Sequence, residues 1–184
     1  MTKKSRYISL LLLSILFFLG AHTEPVFAKD EKAAAAKIQA LNDKIVAANE
    51  ARDLPAALRA AEEAAQVAKA GYGDNSLQAA DTMNNLANLY LYLKRAPEAE
   101  QLYKQAILID LKKLDKESVE IAAIYFNLGV AYAMQKKYTP AIDILNKALN
   151  IRIKKLGRDD ASTKNVEQMI EELTKLAYPL SEKI

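Results

Sequence analysis

Apolar positions in the middle of the chain recur with a helical period. Leu86, Ala87 and Tyr90 fall at i, i+1 and i+4, and Ala99, Tyr103 and Ala106 at i, i+4 and i+7. Each set makes one face of a helix. Alternating runs of Val, Ile and Thr, the mark of strands, are missing. The pattern predicts an all-α fold, with one helix over about residues 76–93 and a second over 97–114. Ser76 and Ser118 stand where an N-cap oxygen would accept from the open first-turn N–H groups. Pro55, Pro97 and Pro140 stand at helix starts, where a missing N–H leaves no bond unmade. Lys112, Lys113, Lys154 and Lys155 fall in last turns, where cations oppose the negative end of the dipole. Gly73 and Gly157 follow helix ends as C-caps. A last amphipathic stretch, about 162–177, carries Val166, Met169, Ile170, Leu173 and Leu176 on one side. Glu167, Glu171, Glu172 and Lys175 lie on the other.

The pattern returns after 42 residues: Asn85 meets Asn127, Leu86 meets Leu128, Tyr90 meets Tyr132, Ala99 meets Ala141 and Ala106 meets Ala148. One period upstream, Pro55, Ala57 and Ala64 continue the register, but Ala48 replaces Tyr90 and Ala61 replaces Tyr103. Terminal repeats deviate in this way because one face has no neighbour. The expected units are about 36–73, 76–115 and 118–157, with a capping helix over 162–177, all within a domain over 29–184. A single helix pair cannot bury its apolar face alone, so the units must stack.

Charge changes the reading at the N-terminus. The first 28 residues, which carry Lys3, Lys4, Arg6 and Glu24, supply +2 of the formal net charge of +3 and leave 23 basic against 22 acidic residues beyond them. The basic cluster precedes an uncharged run over 8–19, then Pro25 and Val26-Phe27-Ala28. A membrane span needs ~20 apolar residues, so this order predicts a signal peptide over 1–28, cut between Ala28 and Lys29. The location expected from it is periplasmic or secreted, with membrane anchoring through an uncleaved N-terminal segment as the alternative. The balanced remainder lacks the basic footprint of a nucleic-acid binder, and no stable membrane insertion is expected after cleavage.

Chemistry narrows the function classes. There is no cysteine, and the one histidine, His22, lies inside the expected leader. The remainder therefore offers no imidazole base, thiol nucleophile or Cys/His metal site. Gly71-Tyr72-Gly73 lacks the rest of a phosphate loop, and Asp74, Asp159 and Asp160 lack Ca²⁺-loop spacing. The neighbouring pairs Glu62/Glu63 and Glu171/Glu172 point in different directions on their helices. No catalytic residue, metal or cofactor is expected, and the chain does not read as an enzyme.

Tyr125, Leu128, Gly129, Tyr132, Ala141, Leu145 and Ala148 resemble the tetratricopeptide signature, as do Met83, Leu86, Ala87, Tyr90, Ala99, Tyr103 and Ala106. The 42-residue spacing and the string Met83-Asn84-Asn85-Leu86-Ala87 are similar to kinesin-light-chain repeats. The resemblance implies a right-handed α-solenoid whose first helices line a concave groove, with asparagines holding a peptide backbone. An amide suits that task because it donates and accepts. The implied groove residues are Asp81, Asn84, Asn85, Asn88, Ala123, Phe126, Asn127, Val130 and Met134, with an apolar ligand side chain anchored near Phe126. Asn42, Val46 and Asn49 are the first unit's counterparts. The expected function is an exported module binding a protein or peptide, as an adaptor or scaffold in a bacterial cell envelope. A secreted effector or adhesion-associated factor and a self-associating, homo-oligomeric repeat domain are the alternatives.

Overall fold

The computed structural model describes residues 26–179. Among the described residues there is no strand, and the helices are α1 (Val26–Glu50), α2 (Leu54–Tyr72), α3 (Leu77–Tyr92), α4 (Ala96–Lys113), α5 (Val119–Met134), α6 (Tyr138–Leu156) and α7 (Ala161–Ala177). Each helix packs against the next in the chain, and α3 also touches α5. The pairs α1/α2, α3/α4 and α5/α6 form three units, and α7 closes the last.

The caps explain the boundaries. The Ser76 and Ser118 hydroxyls accept from the N–H groups of Ala79 and Ile121. Gly73 and Gly157 end α2 and α6 at φ 90°, a conformation glycine adopts without strain. Pro55 and Pro97 lie in the first two positions of α2 and α4. Because α6 starts at Tyr138, Pro140 is its third residue, still among the positions whose N–H has no helical partner. The turn inside each unit places Arg52, Lys94 or Lys136 at φ 58–59°. The next residue's N–H then reaches back to a helix carbonyl: Asp53 to Ala48, Arg95 to Tyr90 and Lys137 to Tyr132. These bonds satisfy carbonyls left open at the helix end.

Two boundaries differ from the sequence reading. Helix α1 starts at Val26, ahead of residue 36, so Ala28 and Lys29 lie in its first turn. Residues 32–36 form part of a run of strong helix formers, and its early part is tied down. The Tyr72 hydroxyl donates to the Glu31 carbonyl at 2.9 Å. Residues 1–25, which carry most of the expected signal peptide, lie outside the described residues. Helix α7 is capped by Asp160, whose carboxylate accepts from the N–H groups of Ser162 and Thr163. Val166 and Leu173 of α7 are buried, but Leu176 is 57% exposed at the helix end.

The core is uneven. Units two and three share a cluster that includes Tyr103, Ile121, Tyr125 and Leu128. Unit one is built on alanine: Ala57, Ala60, Ala61, Ala64, Ala65 and Ala68 of α2 are all buried. Polar links join the units. The Tyr90 hydroxyl donates to Glu62 at 3.1 Å, and the Arg95 guanidinium stacks 4.4 Å from the Tyr90 ring centre. Glu100 receives Lys104 at 2.5 Å, Lys137 at 2.9 Å and the Gln135 amide at 2.8 Å. Lys154 pairs with Glu117 and Lys155 with Asp115, so these last-turn cations also grip the loop before α5. No helix among the described residues is long and apolar enough to cross a membrane.

Candidate binding groove

A groove of about 820 Å³ opens between the first helices of units one and two. Helix α1 contributes Asn42, Ile45, Val46 and Asn49, which fall at i, i+3, i+4 and i+7 and so share one face. Helix α3 answers with Asn85, Asn88, Leu89 and Tyr92 at the same spacing. Arg52 of the turn between α1 and α2, and Leu54 and Ala61 of α2, complete the lining. Val46 is 57% exposed and Tyr92 71%, large apolar side chains held open to solvent.

Ala61 accounts for the hollow. In unit two the same repeat position is Tyr103, whose side chain is fully buried and fills the space between α3 and α4. In unit three it is Leu145, also fully buried. An alanine there removes the side chain that would otherwise occupy the space. The sequence carried this signal, but alanine at an end unit reads equally as relaxed packing.

Of the nine residues expected to form the groove, Asn85 and Asn88 line it, and so do the first-unit counterparts Asn42, Val46 and Asn49. Asp81, Asn84, Ala123, Phe126, Asn127, Val130 and Met134 are not in its lining. Phe126 is half-buried, packs against the clusters on either side of α5 and carries the Arg152 guanidinium 5.1 Å from its ring centre. Ala123 and Val130 are half-buried, and Met134 is exposed. Asn84 Oδ1 is buried without a hydrogen-bond partner among the described residues. Ile45, Arg52, Leu54, Ala61, Leu89 and Tyr92 line the groove without having been expected there.

The asparagines differ in freedom. Asn88 Oδ1 accepts from the Tyr103 hydroxyl at 2.6 Å and from Asn127 Nδ2 at 3.0 Å. Burial pushes the Tyr103 phenol up, so it stays a neutral donor. Burial also raises the Asp81 carboxyl, one turn before Asn85. No group of three or more His, Cys, Asp or Glu side chains converges as a metal site among the described residues. The groove therefore offers amide hydrogen bonds, one guanidinium and apolar contact.

Stacked helical hairpins with an amide-lined groove between two first helices define the class: an α-solenoid of helix-turn-helix repeats. The Tetratricopeptide repeat family matches residues 37–112 and again 78–154, and the chain belongs to that family. Among curated relatives, the clustered mitochondria protein homolog of Coccidioides immitis (strain RS) is 31% identical over 106 residues, 58% of this chain and 8% of that protein. Its counterpart in Aspergillus clavatus is 30% identical over 110 residues, 60% of this chain and 9% of that protein. The chain thus spans less than a tenth of these relatives. Among solved structures, the kinesin light chain TPR-like repeats of Podosopora anserina superpose with a TM-score of 0.69 at 16% identity, over 76% of this chain and 66% of that one. The N-terminal domain of stress-induced protein-1 from C. elegans gives 0.56 at 20% identity, over 79% and 98%. These likenesses show the fold.

The relatives correct the expected location. They are named for mitochondria and not for an envelope or an extracellular space, and on that finding the periplasmic, secreted or membrane-anchored location is withdrawn. The bacterial-envelope setting goes with it.

Proposed function

We propose that this chain is a protein-interaction module that holds an extended peptide segment in the groove between α1 and α3, acting by binding and not by catalysis. The hollow beside Ala61 carries this reading, because it exposes apolar side chains between two rows of amides. Asparagine amides can pair with a peptide backbone, while Val46 and Tyr92 offer contact to a side chain. The repeat family supports the same reading, since stacked hairpins present extended binding surfaces.

The test is to fill the hollow. Random peptides displayed on phage are selected on the wild-type chain and then on Ala61→Leu. Enrichment on the wild type and its loss on Ala61→Leu, with an unchanged helical circular-dichroism spectrum, is the expected result. Equal enrichment on both proteins contradicts the proposal. If Ala61→Leu does not fold, Asn49→Ala combined with Asn85→Ala removes two exposed amides and gives the same comparison.

A further inference from the structure

Two side-chain oxygens of unit two are buried without a hydrogen-bond partner among the described residues: Asn84 Oδ1 on α3 and Asp110 Oδ1 on α4. A buried acceptor with no donor calls for an ion or a water. Asp110 is 3% exposed, so its carboxylate is held inside the fold. Asp81 lies about one turn before Asn84 on the same face of α3, and its charge acts on Asp110. Neither Asp81 nor Asp110 forms an ion pair among the described residues. Asp81 and Asn84 lie outside the lining of the groove between α1 and α3, so the peptide reading has no use for them. We propose that Asp81, Asn84 and Asp110 form a binding site for a hard divalent cation between α3 and α4.

The repeat supplies the comparison. One period on, Asn84 becomes Phe126 and Asp110 becomes Arg152. There the Arg152 guanidinium lies 5.1 Å from the Phe126 ring centre, so the two positions meet between the helices of the unit. Unit three therefore builds a positive charge into this place, and it has Ala123 where unit two has Asp81. Unit two sets two carboxylates and an amide oxygen there, with no ion pair to balance them. Hard cations take carboxylate and amide oxygens, and calcium tolerates an irregular shell of them. Its charge would offset the repulsion between the carboxylates and give both orphaned oxygens a partner. The set is two acids and an amide, short of three converging acids, so water must complete the shell. Binding is then weak, with a Kd of about 10⁻⁴–10⁻³ M.

Calorimetric titration of calcium chloride into the full chain, in metal-free buffer near neutral pH, tests this. One site of that affinity is expected. Calcium should also raise the midpoint of thermal unfolding beyond the effect of sodium chloride at equal ionic strength. Asp81→Asn and Asp110→Asn should each weaken calcium binding about tenfold or more, while Asp74→Asn, at an exposed acid outside the set, should leave it unchanged. Asn84→Asp exchanges the amide oxygen for a carboxylate and should tighten it. Asp81 is exposed, so Asp81→Asn keeps the comparison open if Asp110→Asn does not fold. No calcium-specific heat and no shift of the midpoint would mean that the buried oxygens hold water, and would overturn the proposal. Equal binding by the wild type and Asp81→Asn overturns it too, by assigning calcium to scattered surface acids. So does weaker binding by Asn84→Asp, which would turn the amide nitrogen toward the carboxylates.

Discussion

At the scale of single residues, two buried carboxyls pull in opposite directions. Burial alone would raise the Glu100 carboxyl, but hydrogen bonds from Lys104, Lys137 and Gln135 override it and hold the pKa at about 2. The stability it lends is complete above its ordinary value of 4.5 and is lost as pH falls through about 2. Asp110 has no such company: its Oδ1 lacks a partner among the described residues. Burial, and then the charge of Asp81, push it from 3.8 up to about 6. Its cost is absent below the ordinary value, grows as pH rises and is complete above about 6. Urea unfolding at several pH values should therefore give opposed profiles for two variants. Near neutrality Glu100→Gln loses about 2–3 kcal/mol and Asp110→Asn gains about 1–2 kcal/mol. Both differences shrink in acid, for Asp110→Asn below pH 4 and for Glu100→Gln toward pH 2. A pH-independent Glu100→Gln penalty would contradict this account.

At the scale of elements, helix α1 depends on close contact with the end of α2. A Cβ built on Gly71 would lie 2.3 Å from Ala34 Cβ, and both atoms are fixed to backbone. Gly71→Ala should separate the helices and cost about 1–3 kcal/mol, while Ala34→Gly in the same chain restores the fit. Hydrogen exchange should show the loss confined to the first half of α1, and an equal loss along α5 would contradict this. This contact explains one limit of sequence reading. Periodicity, serine caps and glycine ends made the helices of units two and three legible to within a residue or two. The start of α1 was not legible, because it depends on a contact across 37 residues between two small side chains, Ala34 and Gly71. The hairpin turns were equally quiet, since Arg52, Lys94 and Lys136 hold φ values that sequence patterns assign to glycine. For the groove, Asn85 of the amide string lies in the lining and Asn84 does not. The hollow itself lay in what was missing at Ala61, and an absent side chain has no periodicity.

At the scale of the molecule, the three units divide the work. Units two and three share the larger side chains and the Glu100 lock, and α7 covers the open side of α6 through Val166 and Leu173. Unit one gives up bulk at Ala61, which lies in the lining of the groove. The proposed partner site is this N-terminal hollow and not the apolar stripe of α5. Its most direct measurement is a two-dimensional NMR titration of the full chain with a peptide selected from the displayed library. The account expects the side-chain amides of Asn42, Asn49 and Asn85 to shift with added peptide, along with the backbone around Tyr92. Shifts centred on Phe126, Val130 and Met134, with those amides unmoved, would contradict it.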